Sequence, residues 1–282
     1  LLKPIKHIIV DEIIDEVTTK GSGPLRVLGV DGNIYYAKST DYNTNHELIN
    51  EIICSYLTEI WGLKTPEIVL LKFSSNIIKK YLDSGKVFSS RYKVEKFENL
   101  FFGSQAIQNQ TEIEVYFRSI PSKKEFKLFG SPLDIIKISV FDMWIGNKDR
   151  KPENPNILLS VDDNLMFNFV PIDHAAAFGY VSNYNNLRTI ELFLEEKYRI
   201  INVAFKNSIV KFANNSDIVA LEHEILEHIE NCLLNLDFIF DQIPSNWGLS
   251  KKSKKRIKEV LSDKTRNIET SKSYIPYMKK NG

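Results

Sequence analysis

The chain is poor in the features that stabilise or localise a protein from outside its own core. Its 282 residues include two cysteines, Cys54 and Cys232. They lie far apart without metal-ligand spacing, so neither a disulfide framework nor a thiolate metal site is expected. Both read as reduced packing residues, which points to a reducing compartment and makes the cytoplasm the expected location. No apolar run reaches the length of a membrane span, so no transmembrane segment is expected. The N-terminus carries Lys3, Lys6, Asp11 and Glu12 without a long apolar stretch and does not read as a signal peptide. A net charge of +1 provides no global field to recruit nucleic acid or membrane, and no nucleic-acid partner is expected. There is no internal repeat, no complete G-x-G-x-x-G and no Walker A sequence, which argues against a P-loop NTPase.

What is present suits an ordinary folded domain of some size. Apolar residues make up 43 % and charged residues 26 %, enough for a sizeable core. Ile8–Val17 reads as a strand, and Asp31-Gly32-Asn33 as the tight turn of a hairpin between Leu25–Val30 and Ile34–Lys38. Gly21-Ser22-Gly23 falls in the preceding break. The N-terminal segment is thus expected to be a small antiparallel sheet. Thr44 and Glu47 fit a capping box, and Leu48, Ile52 and Tyr56 continue at helical spacing until Gly62. Glu67–Phe73 is expected as a strand, Ile77–Leu82 as a helix and Phe102-Gly103-Ser104-Gln105 as a turn. A helix from Pro132 to Gly146 should bury one broad side. Asn147–Asn156 is then a polar loop, followed by Ile157-Leu158-Leu159, a turn at Asp162-Asp163-Asn164 and a return strand ending at Asp173-His174. Beyond about Leu187 the chain reads as helices.

Loop and hairpin together carry chemistry. Asp149, Asn154 and Asp173 occur in the order loop carboxylate, loop amide, hairpin-end carboxylate. Phosphoryl transfer needs a carboxylate to take the attacking hydroxyl's proton and oxygen ligands to hold Mg²⁺ on the phosphates. Upstream, Lys38 ends a strand and Glu51 lies on the following helix. These are the types and order needed to steady phosphates with a lysine that a glutamate holds in place. Glu47 is a second candidate partner, already engaged by the capping box. Taken singly, each residue reads as a surface charge or a solvated loop; their joint order carries the argument.

At these stretches the sequence resembles the HipA-like kinases, closest to short members without the extra N-terminal subdomain of HipA toxins. The resemblance rests on Asn33-Ile34-Tyr35-Tyr36-Ala37-Lys38, Leu48-Ile49-Asn50-Glu51, Gly146–Leu159 and Pro171-Ile172-Asp173-His174. It implies an α+β, bilobal protein-kinase-like fold: an N-terminal sheet lobe over 1–105 and a mainly helical lobe over 106–282, with ATP and Mg²⁺ between them. By the same resemblance, Asp149 is the catalytic base, Asn154 and Asp173 hold the metal, and Lys38, supported by Glu51, binds phosphate. Gly21, Ser22 and Gly23 are a partial phosphate-loop candidate, a departure from the full glycine motif. Asn156 competes with Asn154 as metal ligand, and Arg150 either holds a phosphate or pairs with Glu153. Lys151 stands where many relatives carry histidine.

The resemblance implies a Ser/Thr protein kinase that can autophosphorylate, with a protein as substrate. The alternatives are a kinase for a small molecule or lipid headgroup, for which Lys251–Arg256 is the candidate docking segment, and a nucleotide-binding pseudokinase. Oligomeric state and acceptor are not legible in the sequence.

Overall fold

The computed structural model describes residues 2–17, 23–39, 44–89, 92–111, 113, 117, 119, 121–192 and 194–278. Its N-terminal part is built on five strands: β1 (Lys6–Glu16), β2 (Leu25–Gly29), β3 (Ile34–Lys38), β4 (Ile68–Lys72) and β5 (Phe101–Gln105). Inward-facing Val10 and Ile13 of β1 are three residues apart, out of step with the two-residue period of a strand. The pairing with β2 slips between Val10 and Glu12, and this bulge returns Ile13 to the interior.

The expected antiparallel sheet is only part of the arrangement. β1, β2, β3, β5 and β4 are neighbours in that order, and β4 runs parallel to β1, closing a barrel. Helix α1 (Asn45–Ile60) is the crossover that brings β4 alongside β1. A parallel pair needs such a long connection, and no local sequence signal specifies it.

A second expectation fails at Phe102–Gln105, which belongs to β5 rather than to a turn, so Ser104 lies in a strand and not in a loop. β5 pairs with β3 on one side and β4 on the other. Gly103 is there because the barrel is tight. A Cβ at this position would lie 2.7 Å from side-chain atoms of both Val69 and Leu71. Gly103→Val should therefore destabilise the fold by about 1–3 kcal/mol through overpacking, read as a lower urea midpoint with an unchanged slope.

Helix α2 (Ser75–Asp83) packs Ile78 and Tyr81 against the barrel core of Val10, Val27, Tyr35, Val69 and Phe101.

The rest of the chain is mainly helical around a second core, which α1 shares. Helix α3 (Asp134–Ile145) is buried nearly all round, not on one broad side, as suits a central helix. Gly146 ends it with φ +65°, and a Cβ there would meet Leu192 Cα at 2.8 Å. Strands β6 (Gln110–Thr111), β7 (Ile157–Val161) and β8 (Phe167–Pro171) form a three-stranded sheet. In the β7–β8 turn the Asp162 carboxylate accepts from the backbone N–H groups of Asn164 and Met166 and from Asn168 Nδ2.

The helices expected straight after Leu187 are instead short 3₁₀ turns as far as Asn202. Leu187, Leu192, Leu194, Ile200 and Ile201 are all buried there, so their apolar spacing reports burial without helix. Longer helices follow: α4 (Phe205–Phe212), α5 (Asn215–Asp241), α6 (Lys251–Leu261) and α7 (Lys264–Ser271).

Candidate active site

The site is assembled from the end of β3, one face of α1, the loop after α3 and the end of β8. The capping box fixes where α1 starts. Thr44 Oγ1 accepts from the Glu47 N–H, and Glu47 Oε2 accepts from the Thr44 N–H at 2.8 Å. One turn further on, Glu51 is buried and faces β3. Lys38 Nζ lies 2.5 Å from Glu51 Oε1 and 3.0 Å from Asp173 Oδ1. The other Glu51 oxygen accepts from the His174 N–H at 2.9 Å. Lys38, Glu51 and Asp173, separated by up to 135 residues, thus meet at one ammonium.

The electrostatics follow from that geometry. Burial alone would push the Lys38 ammonium down, but the charges of Asp173 and Glu51 outweigh it and hold the lysine above its ordinary value. Asp173 is also penalised by burial, yet Lys38 pulls its carboxyl below the usual carboxylate range. Glu51 goes the other way: burial raises it more than Lys38 lowers it. Asp173 has φ +58°, uncommon for a residue with a Cβ. Its neighbours are pinned: the Ile172 N–H donates to the Asn156 carbonyl at 2.9 Å, and the Ile172 carbonyl accepts from Arg150 Nη2 at 2.7 Å.

Asp149 lies in the loop after α3, half-buried. Its N–H donates to Asn147 Oδ1 at 3.2 Å, and its Oδ2 accepts from Asn156 Nδ2 at 3.0 Å. Asn154 Nδ2 donates to the Asp149 carbonyl at 3.4 Å, while Lys151 and Asn154 exchange backbone hydrogen bonds at 3.1 and 2.9 Å. Both asparagines therefore contact Asp149, and Asn156 is the one on its carboxylate.

Arg150 neither faces outward nor pairs with Glu153. It is fully buried: Nη1 donates to Asp142 Oδ1 at 2.5 Å, Nη2 to the Ile172 carbonyl, and Nε to the Asn156 carbonyl at 3.3 Å. A buried guanidinium needs acceptors around its whole fork, and exposed Glu153 cannot reach into this interior. Arg150 thereby ties α3, the Asp149 loop and the residue before Asp173 together. Burial pushes the Asp142 carboxyl up to about 7 against the pull of Arg150. His174 is driven well below its ordinary value by burial and by Arg150, which keeps it neutral, and its Nδ1 lies 3.4 Å from Arg150 Nη2. One signal for this brace is legible in the sequence: Asp142 is a carboxylate within the otherwise apolar run Val140–Ile145.

A cavity of about 720 Å³ opens between the barrel and the loop. Its polar lining includes Lys38, Glu51, Asp149, Asn154, Asn156 and Asp173, and its apolar lining Val17, Tyr36, Phe102, Ile107 and Leu158. Gly23, with φ +48°, does not line it directly, although its neighbour Pro24 does. The Gly23 carbonyl accepts from Tyr92 Oη at 2.8 Å. Gly21 and Ser22 lie outside the described residues.

The family model for HipA-like kinases matches residues 10–273. The chain belongs to the HipA-like kinases. Among solved structures, the proinflammatory kinase CtkA of Helicobacter pylori matches with a TM-score of 0.54 at 11 % identity, over 98 % of this chain and 100 % of that one. At this identity the likeness establishes the fold, an α+β kinase-like one. The Golgi casein kinase with Mn/ADP bound has a TM-score of 0.47 at 14 % identity, over 96 % of this chain and 74 % of that one. HipA of Shewanella oneidensis MR-1, solved with HipB and operator DNA, has a TM-score of 0.43 at 9 % identity, over 94 % of this chain and 66 % of that one. A search of curated proteins gave no match. Membership of this family makes the chain a kinase.

Proposed function

We propose that this kinase binds ATP with Mg²⁺ between two lobes and transfers the γ-phosphoryl group to a serine or threonine hydroxyl of a protein, its own chain included. The observation that carries this reading is the meeting of Lys38, Glu51 and Asp173 on the wall of a cavity that Asp149 also lines. The end of the barrel's last strand at Gln105 supports a lobe boundary there.

The donors suit the cation. Asp173 offers a carboxylate, and Asn154 or Asn156 an amide oxygen. Mg²⁺ prefers such hard ligands, one or two from the protein and the remainder from phosphate and water. When bound, Mg²⁺ would neutralise charge on the phosphates. Lys38, held by Glu51, presents its ammonium to phosphate oxygens from the barrel side. Asp149 accepts the proton of the attacking hydroxyl. The apolar lining of the cavity, which includes Tyr36, Phe102 and Leu158, suits a flat base.

The alternatives fit less well. On α6, Lys254 pairs with Asp241, while Lys255 and Arg256 share Glu259, so two carboxylates offset part of this run of five cations. That weakens the lipid-headgroup reading, because docking to an anionic surface needs unneutralised cations. The presence of Lys38, Asp149, Asn154 and Asp173 in one cavity speaks against a pseudokinase. Buried free Cys54 and Cys232 support a reducing compartment and hence the cytoplasm. No helix among the described residues is long and apolar enough to cross a membrane.

The test is incubation of the purified chain with ATP and Mg²⁺, followed by intact-mass spectrometry and ADP quantification. Mg²⁺-dependent ADP formation, with phosphate added to the chain or to an offered protein, is the expected result. Nucleotide binding without ADP would instead favour the pseudokinase. Asp173→Ala should raise the Mg²⁺ needed for half-saturation by at least about tenfold, the scale on which metal sites lose affinity even when only a supporting partner is removed. An unchanged Mg²⁺ titration would remove Asp173 from the metal site.

A further inference from the structure

Asn50 precedes Glu51 on α1, and its side chain is buried against the segment that follows Asp173. Its Nδ2 donates to the carbonyls of Ala175 at 2.8 Å and Ala177 at 3.1 Å. Its Oδ1 accepts from Tyr184 Oη at 2.5 Å, and the same hydroxyl lies 3.1 Å from the His46 carbonyl on α1. Asn50 and Tyr184 are 3 % and 2 % exposed. Both amide hydrogens and the amide oxygen of Asn50 are thus engaged. A buried polar network in this state resists any shift that would leave one member unpaired.

The position of the network gives it consequence. Glu51 holds the His174 N–H, and Asn50 holds the carbonyls one and three residues later. Consecutive residues of one helix therefore stitch down the stretch that begins at Asp173. That stretch is bounded by left-handed backbone: Asp173 at φ +58°, then Phe178, Gly179 and Tyr180 at +57°, +69° and +64°. Residues with side chains keep such conformations only where their surroundings hold them. The stitching supplies that hold, and it acts on the residue whose carboxylate meets Lys38.

We infer that Asn50 and Tyr184 are positioning residues: they lock α1 to the Asp173 segment in the register at which Lys38, Glu51 and Asp173 meet, and so set how tightly the site takes Mg²⁺ with its nucleotide. Neither residue borders the main cavity, so both act through the residues that do. The inference rests on the proposed Mg²⁺–ATP reading of that cavity.

Tyr184→Phe tests it with little risk to folding, because the ring keeps its contacts with His46 and Phe178, at centroid distances of 5.2 and 5.9 Å. Two readouts are needed. In the nucleotide-free protein, hydrogen–deuterium exchange over 173–180 should quicken roughly tenfold, as suits loss of a buried hydrogen bond. The Mg²⁺ concentration for half-saturation with ATP should rise about tenfold, with the thermal midpoint lower by only a few °C, as suits one buried acceptor left without its donor. In a Glu51→Gln background, the same substitution should add little further to the Mg²⁺ requirement. Asn50→Leu, which removes the amide at similar volume, should reproduce the first two effects. Unchanged exchange in both variants would overturn the lock. Faster exchange with an unchanged Mg²⁺ titration would reduce the pair to packing, and a full tenfold effect in the Glu51→Gln background would place their action elsewhere. If the wild type binds no ATP, the functional reading fails, while the exchange measurement still decides the lock.

Discussion

Asp149→Ala should lower phosphoryl transfer by about 10²–10⁴-fold, the usual contribution of a positioned general base, while leaving fold and nucleotide affinity nearly intact. Asp149 is half-buried on the cavity wall, and its carboxylate is held by Asn156 Nδ2, itself a cavity residue. Alanine therefore opens no void in the core. The group that would hold the phosphates is built separately, since Lys38 is oriented by Glu51 and Asp173. A change of at most about 0.5 kcal/mol in stability is expected, as for substitutions outside packed cores. Rates of ADP formation under saturating ATP, beside thermal midpoints, make the comparison. Equal loss of binding and rate would make Asp149 a ligand instead of a base.

Asp142→Ala should have the opposite profile, a large loss of stability with activity falling as a consequence. Arg150 has no exposed surface and relies on Asp142 for its only carboxylate among the described partners. Removing one partner of a buried ion pair leaves an uncompensated charge and costs about 3–5 kcal/mol. That is a large share of the roughly 5–15 kcal/mol that holds a typical domain together. A thermal midpoint lower by about 6–20 °C should follow, at about 2–4 °C per kcal/mol for a chain of this size class. Asp142→Asn keeps an acceptor for the guanidinium and should lose less. Arg150 also holds the carbonyls of Ile172 and Asn156, so the same variant should loosen the Asp149 loop and the Asp173 corner together. A midpoint within 2 °C of wild type, by that same conversion under about 1 kcal/mol, would contradict the structural role assigned to this pair.

Local signals account for what could be read in advance. The capping box at Thr44 and Glu47, the turns at Asp31–Asn33 and Asp162–Asn164, and the stop at Gly146 each depend on neighbours within a few residues. They placed Lys38, Glu51, Asp149 and Asp173 on the right kinds of element in the right order. What escaped notice is non-local. The parallel pairing of β1 with β4 is set by the path of α1, not by strand composition. Gly103 looked like a turn residue because glycine also serves where backbones or side chains crowd, and only the distances to Val69 and Leu71 separate the two uses. For Arg150 the sequence suggests either a phosphate or Glu153, three residues ahead in the same polar loop. Its partner is eight residues behind, inside the end of a helix that is buried nearly all round. Asn154 and Asn156 remained alternatives because both side chains turn toward Asp149.

The most direct test of the central claim is calorimetric titration of the wild-type chain with a non-hydrolysable ATP analogue, with and without Mg²⁺. Saturable binding at one site per chain, strengthened by Mg²⁺ and weakened by Lys38→Met, is the predicted result. Absence of binding, or binding indifferent to both Mg²⁺ and Lys38, would contradict the assignment of this cavity as the nucleotide site.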